Sequence, residues 1–350
     1  MRKALYIVED ERSAQFRYRV KNVAEALKVG NAKWKVDSVL KKDLEEVNFK
    51  EYDLVVGLRQ TDKSGWSSDV IDRAHKAGVK VLFDLDDLIF DYRDLPVLIR
   101  STNSKNVFYW VGYFWGIRRI AKQVDGFLCT NEFLGKKLKR SFGKPVRVIR
   151  NSLNWEQMEV SEKCLRDKKH QGFVVGYFSG SPTHKKDFGL VEPDLVRFLE
   201  AYKDVKLKVV GYMEFSGQMR GLIDAGRVEV MKPVNYLRLQ KLIAEVGVNI
   251  APLVVNDFTN CKSELKFFEA AVAETTTIAS PAYAFKKAIS NGDNGLLAKP
   301  DEWYKKLEFL YEHPKENEKM AKNAKKYALK HYYGKEFLEE VEEAYDYFAR

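Results

Sequence analysis

The chain has 350 residues, of which 45% are apolar and 13% aromatic, a composition that excludes a disordered protein. This length is too great for one hydrophobic core, so two domains are expected. The three cysteines are widely separated and form no CxxC pair, which favours a reduced, cytoplasmic protein over a disulfide-built one. The five histidines show no metal-ligand spacing.

The net charge of +10 is unevenly distributed along the chain. Residues 1–150 contain 30 Lys and Arg against 20 Asp and Glu, whereas residues 151–350 contain 30 of each. The first part therefore carries the whole excess of positive charge. This predicts an anionic partner for it: nucleic acid, acidic lipid head groups or a pyrophosphate-bearing substrate.

Short β-branched runs alternate with helical patterns along residues 1–152. The first run precedes two acids and is predicted to be a strand, not a secretion signal. The predicted strands are Ala4–Val8, Trp34–Val39, Asp53–Gly57, Val79–Asp84, Gly126–Thr130 and Val146–Arg150. The predicted helices are Ser13–Leu27, Asp69–Ala77, Val107–Gln123 and Glu132–Ser141. Such alternation is typical of a parallel sheet covered on both faces.

Residues 152–170 lose this pattern and become charged and irregular, which predicts a linker. The alternation then restarts in a second domain, residues 165–334. Its predicted strands are Phe173–Phe178, Leu207–Gly211, Val228–Met231, Val248–Ala251 and Thr276–Ala279. Its predicted helices are Leu190–Tyr202, Tyr236–Val246, Asp301–Tyr311 and Glu316–His331. The chain is thus predicted to be α/β, with two Rossmann-like domains in tandem.

The last predicted helix, residues 335–350, carries six acids interleaved with apolar residues. We expect it to pack back on the basic first domain and to tie the two halves together.

The segment Asn260–Ala271 is predicted to form a helix with Lys262, Lys266 and Glu269 on one side. A cap by Ser263 or by the first residue of the segment would leave N–H groups and the positive dipole end facing outwards, where they attract anions. The Glu269 carboxylate, one turn deeper, could accept hydrogen bonds from ribose hydroxyls. An ordinary amphipathic helix with solvated lysines is the alternative.

Ligands of open parallel sheets bind beyond the carboxyl ends of the strands, and two sheets that face each other make a cleft. The loop after the first strand of the second domain is basic and contains a glycine that permits close backbone approach to a ligand. Its candidate phosphate-binding residues are Gly180, Ser181, His184, Lys185 and Lys186. Asp187 could cap the next helix, and a basic surface turn is the alternative.

One strand of the first domain ends in three carboxylates, Asp84, Asp86 and Asp87. Like charges repel, so packing alone does not explain them. They could act as a general base, orient a hydroxyl or bind a divalent cation, or they could simply form a capping cluster. Arg17 and Arg19, near the start of the first helix, could clamp an acidic or hydroxylated acceptor; ordinary surface arginines are the alternative.

Residues 105–122 interleave six aromatic residues with Arg118, Arg119 and Lys122. This composition suits a helix at a membrane interface. The alternative is a helix that covers the sheet. The longest nearly apolar run within it, residues 107–117, is too short to span a bilayer.

Two motifs of the second domain, Gly176–His184 and Lys262–Ala270, resemble glycosyltransferases of the GT-B fold. The sequence is most similar to the family-4 group that builds bacterial surface polysaccharides, and residues 279–281 and 291–297 extend the likeness. In the first domain the resemblance is looser and rests on Arg17–Arg19 and Phe83–Asp87. It implies two Rossmann-like domains that face across a cleft, the first binding the acceptor and the second a nucleotide-sugar.

The resemblance also implies roles for individual residues. Glu269 would hold the ribose, as the second glutamate of the family's paired-glutamate motif does, and Lys266 would sit on the diphosphate with Lys185 or Lys186. The first glutamate of that motif is replaced here by Cys261. Its sugar-contacting role would then pass to Lys262, Ser263 or Glu264. The family's cleft histidine corresponds at best to Asp84. The expected catalytic residues are Asp84, Lys186 and Lys266, and the expected acceptor-binding residues are Arg17, Arg19, Asp86 and Asp87.

The expected reaction is sugar transfer from a nucleotide-sugar, with UDP favoured, to a saccharide or lipid-linked saccharide. By resemblance it retains anomeric configuration and needs no metal or other cofactor. The expected location is the cytoplasm, and contact of the first domain with the inner face of an anionic membrane stays open. The alternatives are a nucleotide-sugar epimerase of the same architecture and a basic nucleic-acid-binding protein. No nucleic-acid-binding module is recognisable, so a nucleic-acid partner is not expected.

Overall fold

The computed structural model describes residues 1–62, 65–102, 104, 106–167, 172–180, 185–211 and 213–349. The chain forms two compact units, each with one six-stranded parallel sheet. The first unit comprises Met1–Asn154, Asn260–Ser263 and Lys330–Arg350, and the second comprises Trp155–Thr259 and Glu264–Leu329. The predicted fold class, two parallel α/β sheets in tandem, is confirmed.

The sheet of the first unit has the strand order β2-β1-β3-β4-β5-β6. Its strands are β1 (Arg2–Val8), β2 (Trp34–Leu40), β3 (Leu54–Leu58), β4 (Lys80–Leu85), β5 (Gly126–Cys129) and β6 (Val146–Val148). All of β3 and nearly all of β4 are buried, as the continuous apolar character of parallel strands requires. The strand order reverses beside β1, which pairs with β2 on one side and β3 on the other. At such a switch point the strand ends leave room for a ligand.

Helices cover this sheet. They are Ala14–Phe16, Asn22–Val29, Trp66–Lys76, Leu95–Thr102, Val107–Gln123, Glu132–Phe142 and Lys335–Phe348, with 3-10 turns at Lys41–Glu46, Phe49–Glu51 and Tyr92–Asp94. The first predicted helix is interrupted by a π turn, Arg17–Lys21, which continues directly into the next helix. Ser13 caps its start, because the Ser13 hydroxyl accepts a hydrogen bond of 3.0 Å from the Phe16 N–H.

The C-terminal helix Lys335–Phe348 packs in the first unit, as predicted. Its apolar face is buried in the same core as β1 and β2. The Tyr345 ring meets the Trp34 ring edge-on at a centroid distance of 5.2 Å, and its hydroxyl lies 3.0 Å from that of Tyr6. The Asp346 carboxylate accepts a 2.8 Å hydrogen bond from the Trp34 indole. The helix is therefore an integral part of this core.

The sheet of the second unit has the order β12-β11-β10-β7-β8-β9. Its strands are β7 (Val174–Phe178), β8 (Lys206–Val210), β9 (Val228–Met231), β10 (Val248–Ala251), β11 (Thr276–Ala279) and β12 (Leu296–Leu297). Its helices are Trp155–Arg166, Lys185–Gly189, Glu192–Ala201, Gly217–Asp224, Tyr236–Ala244, Asp257–Asn260, Leu265–Val272, Tyr283–Ala288, Trp303–Glu312 and Pro314–Tyr332. None of the described helices, in either unit, combines the length and apolarity needed to cross a bilayer.

The prediction of a linker over residues 152–170 is wrong. Trp155–Arg166 is a helix of the second unit, and it packs against Tyr236–Ala244. Its buried positions are Gln157, Met158 and Ser161. Two of these three residues are polar, so the apolar periodicity by which a helix is recognised in a sequence is weak here.

The predicted helix over residues 260–271 is wrong in its first part. One short helix ends at Asn260, and the next, Leu265–Val272, begins only after an irregular segment. The N-cap residue is Glu264, and no side chain caps the helix. Lys262 therefore does not lie on the same helix as Lys266, and the segment Asn260–Ser263 belongs to the first unit.

Gly211 fixes the carboxyl end of β8 against that of β7. Its φ is +128°, and an added Cβ would overlap the carbonyl of Ser179. The Ser179 N–H donates to Val210 at 2.8 Å, so the two strand ends lie in register. The loop that contains Gly180 starts from this point.

We therefore expect Gly211→Ala to lower the free energy of unfolding by about 3 kcal/mol, because strain and overlap act together. The matched control is Gly226→Ala, at a φ of +69° with nothing near the added Cβ, which should cost about 1 kcal/mol. Urea unfolding of both variants measures the difference. Equal losses would show that the contact with Ser179 contributes nothing.

Candidate active site

The helix Leu265–Val272 lies after β10 and carries two of the predicted donor-binding residues, Lys266 and Glu269, one turn apart. The Lys266 ammonium lies 5.0 Å from the centre of the Tyr177 ring of β7, a cation–π contact. Glu269 is buried, with an exposed fraction of 5%. A buried carboxylate needs hydrogen-bond donors, and the surrounding residues provide them.

Amide side chains hold this helix in place. The Gln157 amide donates to a Glu269 carboxylate oxygen at 3.2 Å, and the Gln240 amide donates to the Glu269 backbone carbonyl at 2.8 Å. From β10, the Asn249 amide donates to the Lys266 carbonyl at 3.0 Å. Gln157 and Gln240 are themselves buried. The orientation of Glu269 is therefore fixed by the unit's own core.

Sequence reasoning missed Gln157 as a neighbour of Glu269. It lies on the helix Trp155–Arg166, in the stretch predicted to be a linker. A buried glutamine in a charged stretch has no distinguishing pattern, so only the folded structure shows its contact with Glu269.

The loop after β7 is described in part. Gly180 follows the strand, whereas Ser181 and His184 lie outside the described residues, as does the side chain of Lys185. Lys186 is exposed in the helix Lys185–Gly189.

Asp187, expected to cap the next helix, has a different partner. Its carboxylate accepts a 2.8 Å hydrogen bond from the Val254 N–H and is mostly buried. Val254 follows β10, so this bond joins the loops that follow β7 and β10 at one edge of the sheet. Both loops lie at the edge where an open parallel sheet binds its ligand.

Arg19 and Asp84, predicted to contact an acceptor and to act in catalysis, form a buried ion pair instead. Their exposed fractions are 1% and 0%. The Arg19 Nε lies 3.1 Å from both Asp84 oxygens, and Nη2 lies 3.1 Å from one of them. Burial acts to lower the pKa of Arg19, but the Asp84 carboxylate outweighs it and raises that pKa. Both residues belong to the core of the first unit, and their assignment to a ligand site is corrected.

Arg17, the other predicted acceptor-binding arginine, is half-buried and stacks 4.5 Å from the centre of the Tyr18 ring. It lies in the π turn that also carries Arg19.

A second charged cluster lies at the carboxyl ends of β3 and β4. The Arg59 guanidinium donates to Asp86 at 3.0 Å and to Asp87 at 2.8 Å, and the Lys262 ammonium donates to Asp87 at 2.8 Å. Burial acts to raise the pKa of Asp87, but Lys262 and then Arg59 outweigh it and hold that pKa below its ordinary value. Arg59 thus holds Asp86 and Asp87 together, and cations balance their charge.

Arg59 was not among the predicted site residues. Its φ is +37°, an uncommon conformation for a residue other than glycine. This conformation of Arg59 could not be predicted from the sequence. A positive φ is expected first at a glycine, and the nearest one is Gly57, two residues earlier.

Lys262 and Ser263, predicted to bind the donor, are held by residues of the first unit. The Asn131 amide donates to the Lys262 carbonyl at 3.1 Å, and the Asn151 amide donates to the Ser263 hydroxyl at 2.9 Å. With the ion pair to Asp87, these bonds attach the segment Asn260–Ser263 at three points.

Within the described part of the chain, no three His, Cys, Asp or Glu side chains come together as a set of metal ligands. The carboxylates after β4 do not form such a set, because Asp84 faces Arg19 in the core while Asp86 and Asp87 face Arg59.

Comparison with known proteins bears on the class of the molecule. Residues 192–343 match the protein family described as glycosyl transferase-like. Anabaena HepE, solved in complex with UDP-glucose, is 13% identical and matches over 99% of this chain and 100% of that chain with a TM-score of 0.66. The sucrose-phosphate synthase from Thermosynechococcus elongatus is 14% identical and matches over 99% of this chain and 99% of that chain, with a TM-score of 0.67. WaaG, a glycosyltransferase involved in lipopolysaccharide biosynthesis, is 11% identical and matches over 99% of this chain and 99% of that chain, with a TM-score of 0.64.

No curated protein matches the sequence significantly. At these low identities the structural similarity establishes the fold, which is that of the GT-B enzymes. The chain therefore has the GT-B fold. The similarity to the glycosyl transferase-like family covers residues 192–343, less than half of the chain.

The reassignment of Asp84 leads to a stability prediction. We expect Asp84→Asn to lower the free energy of unfolding by about 3–5 kcal/mol, because it leaves the Arg19 charge buried without a counter-ion. The control is Asp69→Asn, whose side chain is 74% exposed and forms an ion pair with Arg73; it should change stability by less than about 0.5 kcal/mol. Thermal or urea unfolding measures both. A fully stable Asp84→Asn protein would contradict the structural role assigned to this ion pair.

Proposed function

We propose that the protein transfers the sugar of a UDP-sugar to a hydroxyl group of a saccharide acceptor in polysaccharide biosynthesis, with UDP as the leaving group, and that the second unit binds the donor. The observation that carries this proposal is the pairing of Lys266 with Glu269 on one helix at the ligand-binding edge of the sheet. The structure of HepE with UDP-glucose supports UDP as the nucleotide, because that protein has the same fold.

The chemistry assigns different roles to the two residues. The Glu269 carboxylate, already held by Gln157, would accept hydrogen bonds from the ribose hydroxyls. When the bond between the sugar and the diphosphate breaks, negative charge develops on the leaving phosphate. Lys266 and Lys186 would stabilise this charge from fixed positions, an effect that commonly contributes about 3 kcal/mol per donor. Fixed lysines can serve this purpose without a metal ion, and we propose a metal-independent reaction.

Gly180 would allow the donor's phosphates to approach the backbone, because a glycine has no side chain to intervene. Ser181, His184 and Lys185 remain proposed donor-binding residues on the sequence alone. We also propose that the transfer retains anomeric configuration, which rests on the sequence resemblance to the family-4 group.

The acceptor would be bound by the first unit. Asp86 and Asp87 follow β4 at the edge where a parallel sheet binds ligands, and Arg17 lies after β1 at the same edge. Arg59 and Lys262 hold the two carboxylates in defined positions from which they could orient a hydroxyl.

A lipid-linked saccharide is the acceptor class that the charge distribution favours. Residues 1–150 carry the chain's excess of positive charge, and such a surface attracts anionic head groups. The enzyme would then act in the cytoplasm at the inner face of a membrane.

We expect Lys266→Ala to lower the turnover number at least about tenfold while the protein stays folded, because one fixed cation is lost from the developing phosphate charge. The control is Lys305→Ala, an exposed lysine of the same unit. Transfer of labelled sugar from UDP-glucose and related UDP-sugars to saccharide acceptors measures turnover, and circular dichroism checks the fold. A wild-type rate in Lys266→Ala would remove this lysine from the mechanism.

Nucleotide choice provides a separate test. We expect UDP to raise the melting temperature more than GDP, dTDP or CDP, because a ligand that binds the native state stabilises it. Glu269→Gln should lose most of this shift, whereas Glu229→Gln, a control at a site 58% exposed, should keep it. A preference for another nucleotide would contradict the proposed donor. Isomerised free donor in place of transferred sugar would contradict the proposed reaction.

A further inference from the structure

The helix Val107–Gln123 exposes a cluster of apolar side chains. Thirteen large apolar side chains are exposed in the described part of the chain, and five of them are on this helix: Val107, Phe108, Tyr109, Val111 and Trp115. Phe108, with 90% of its surface exposed, is the most exposed of the thirteen. Single exposed apolar residues are common on soluble proteins, but a cluster marks an interaction surface.

The helix itself is firmly attached to the first unit. Its opposite side is buried through Phe114, Ile117 and Ile120. The Asp62 N–H donates to the Gly116 carbonyl at 3.2 Å, where a side chain on this glycine would crowd the backbone. The Asn106 side chain caps the helix by accepting a 2.8 Å hydrogen bond from Tyr109. The helix therefore already has a buried face, and the exposed apolar residues form a second face that these contacts leave uncovered.

Positive charge continues this exposed face. At helical spacing Phe108, Val111 and Trp115 are followed by Arg119 and Lys122, four and seven residues after the tryptophan. We call these five residues the aromatic stripe. The Arg119 guanidinium lies 4.9 Å from the centre of the Trp115 ring, and Lys122 is exposed. Aromatic rings thus lie toward one end of the stripe and cations toward the other.

The surrounding sequence lacks negative charge. Residues 95–124 contain no Asp or Glu, although they contain five Lys and Arg. In a chain with 50 acids among 350 residues, a stretch of this length without one is uncommon. This stretch of the chain therefore contributes only positive charge, which attracts an anionic partner.

These features together decide the kind of partner. Trp and Tyr rings prefer the boundary between head groups and acyl chains, and Lys and Arg reach from there to lipid phosphates. A helix with apolar rings and cations on one face lies in the plane of an anionic bilayer surface. Protein interfaces, in contrast, are depleted in lysine at their centres and favour well-packed pockets over protruding rings.

We propose that the aromatic stripe inserts into the head-group region of an anionic phospholipid bilayer, with Phe108 and Trp115 toward the acyl chains and Arg119 and Lys122 on the phosphates. The identity of a lipid-linked acceptor rests on the proposed function, whereas the lipid contact stands without it. The stripe would hold the first unit at the surface where such an acceptor is located.

The test is flotation of the full chain with phosphatidylglycerol vesicles and, separately, with phosphatidylcholine vesicles. The wild-type protein should float with the anionic vesicles, and added salt should weaken this binding. The double variant Phe108→Ser with Trp115→Ser should bind at least about tenfold more weakly, because it loses the buried rings. Arg119→Glu with Lys122→Glu should reduce binding by a similar factor.

Two matched control variants separate the stripe from the rest of the surface. Val29→Ser with Val230→Ser removes apolar groups that are 64% and 43% exposed elsewhere. Lys305→Glu with Lys319→Glu reverses two exposed charges of the second unit. Both controls should bind as the wild type does. UDP-induced thermal stabilisation, measured without vesicles, should be unchanged in every variant and shows that each is folded.

Three outcomes would overturn the proposal: no flotation with anionic vesicles, equal flotation with neutral ones, or stripe variants that bind as the wild type does. A concentration-dependent dimer that the stripe variants abolish, seen by sedimentation without vesicle binding, would assign the stripe to a second copy of the chain. Vesicle binding without UDP stabilisation would leave the lipid contact standing and contradict the proposed donor.

Discussion

The buried ion pair of Arg19 and Asp84 is the interaction on which the first unit depends. It joins the π turn after β1 to the end of β4, and the same guanidinium donates to the Ile149 carbonyl just beyond β6. Removing two charges from water is costly, and the cost is offset only when both are fully hydrogen-bonded. Few other residue pairs could therefore replace Arg19 and Asp84 at these positions. It fixes three strand ends relative to one another and so determines the edge at which Asp86 and Asp87 appear.

In the second unit, neutral side chains hold the residues of the candidate site in place. Gln157, Gln240 and Asn249 donate hydrogen bonds to the helix that carries Lys266 and Glu269. The Gln157 amide donates to the buried carboxylate of Glu269, and the amides of Gln240 and Asn249 donate to backbone carbonyls of the same helix. The two units thus treat carboxylates differently: those after β4 are neutralised by cations, and Glu269 is held by amides.

Strands and long helices could be predicted from the sequence because burial imposes a period on them. Val107–Gln123 has the bounds that its apolar pattern indicates, and β9, β10 and β11 are likewise as predicted. Where polar residues are buried, this signal fails. The helix with Gln157 was interpreted as a linker for that reason. Arg19 was assigned to acceptor binding because nothing local reveals a partner 65 positions away. Lys266 and Glu269 could be placed on one helix, but the break before Glu264 could not be predicted.

The packing of Lys335–Phe348 has a consequence for how the chain is made. Trp34 and Tyr6 precede the second unit along the chain, yet their partners Tyr345 and Asp346 follow it. A nascent first unit would emerge from the ribosome with the side of its sheet that packs on this helix exposed. The second unit would emerge before the helix Lys335–Phe348 is available to bury that side. Because transiently exposed apolar surface promotes aggregation, the order of synthesis makes the first unit the part of the chain that most needs a chaperone.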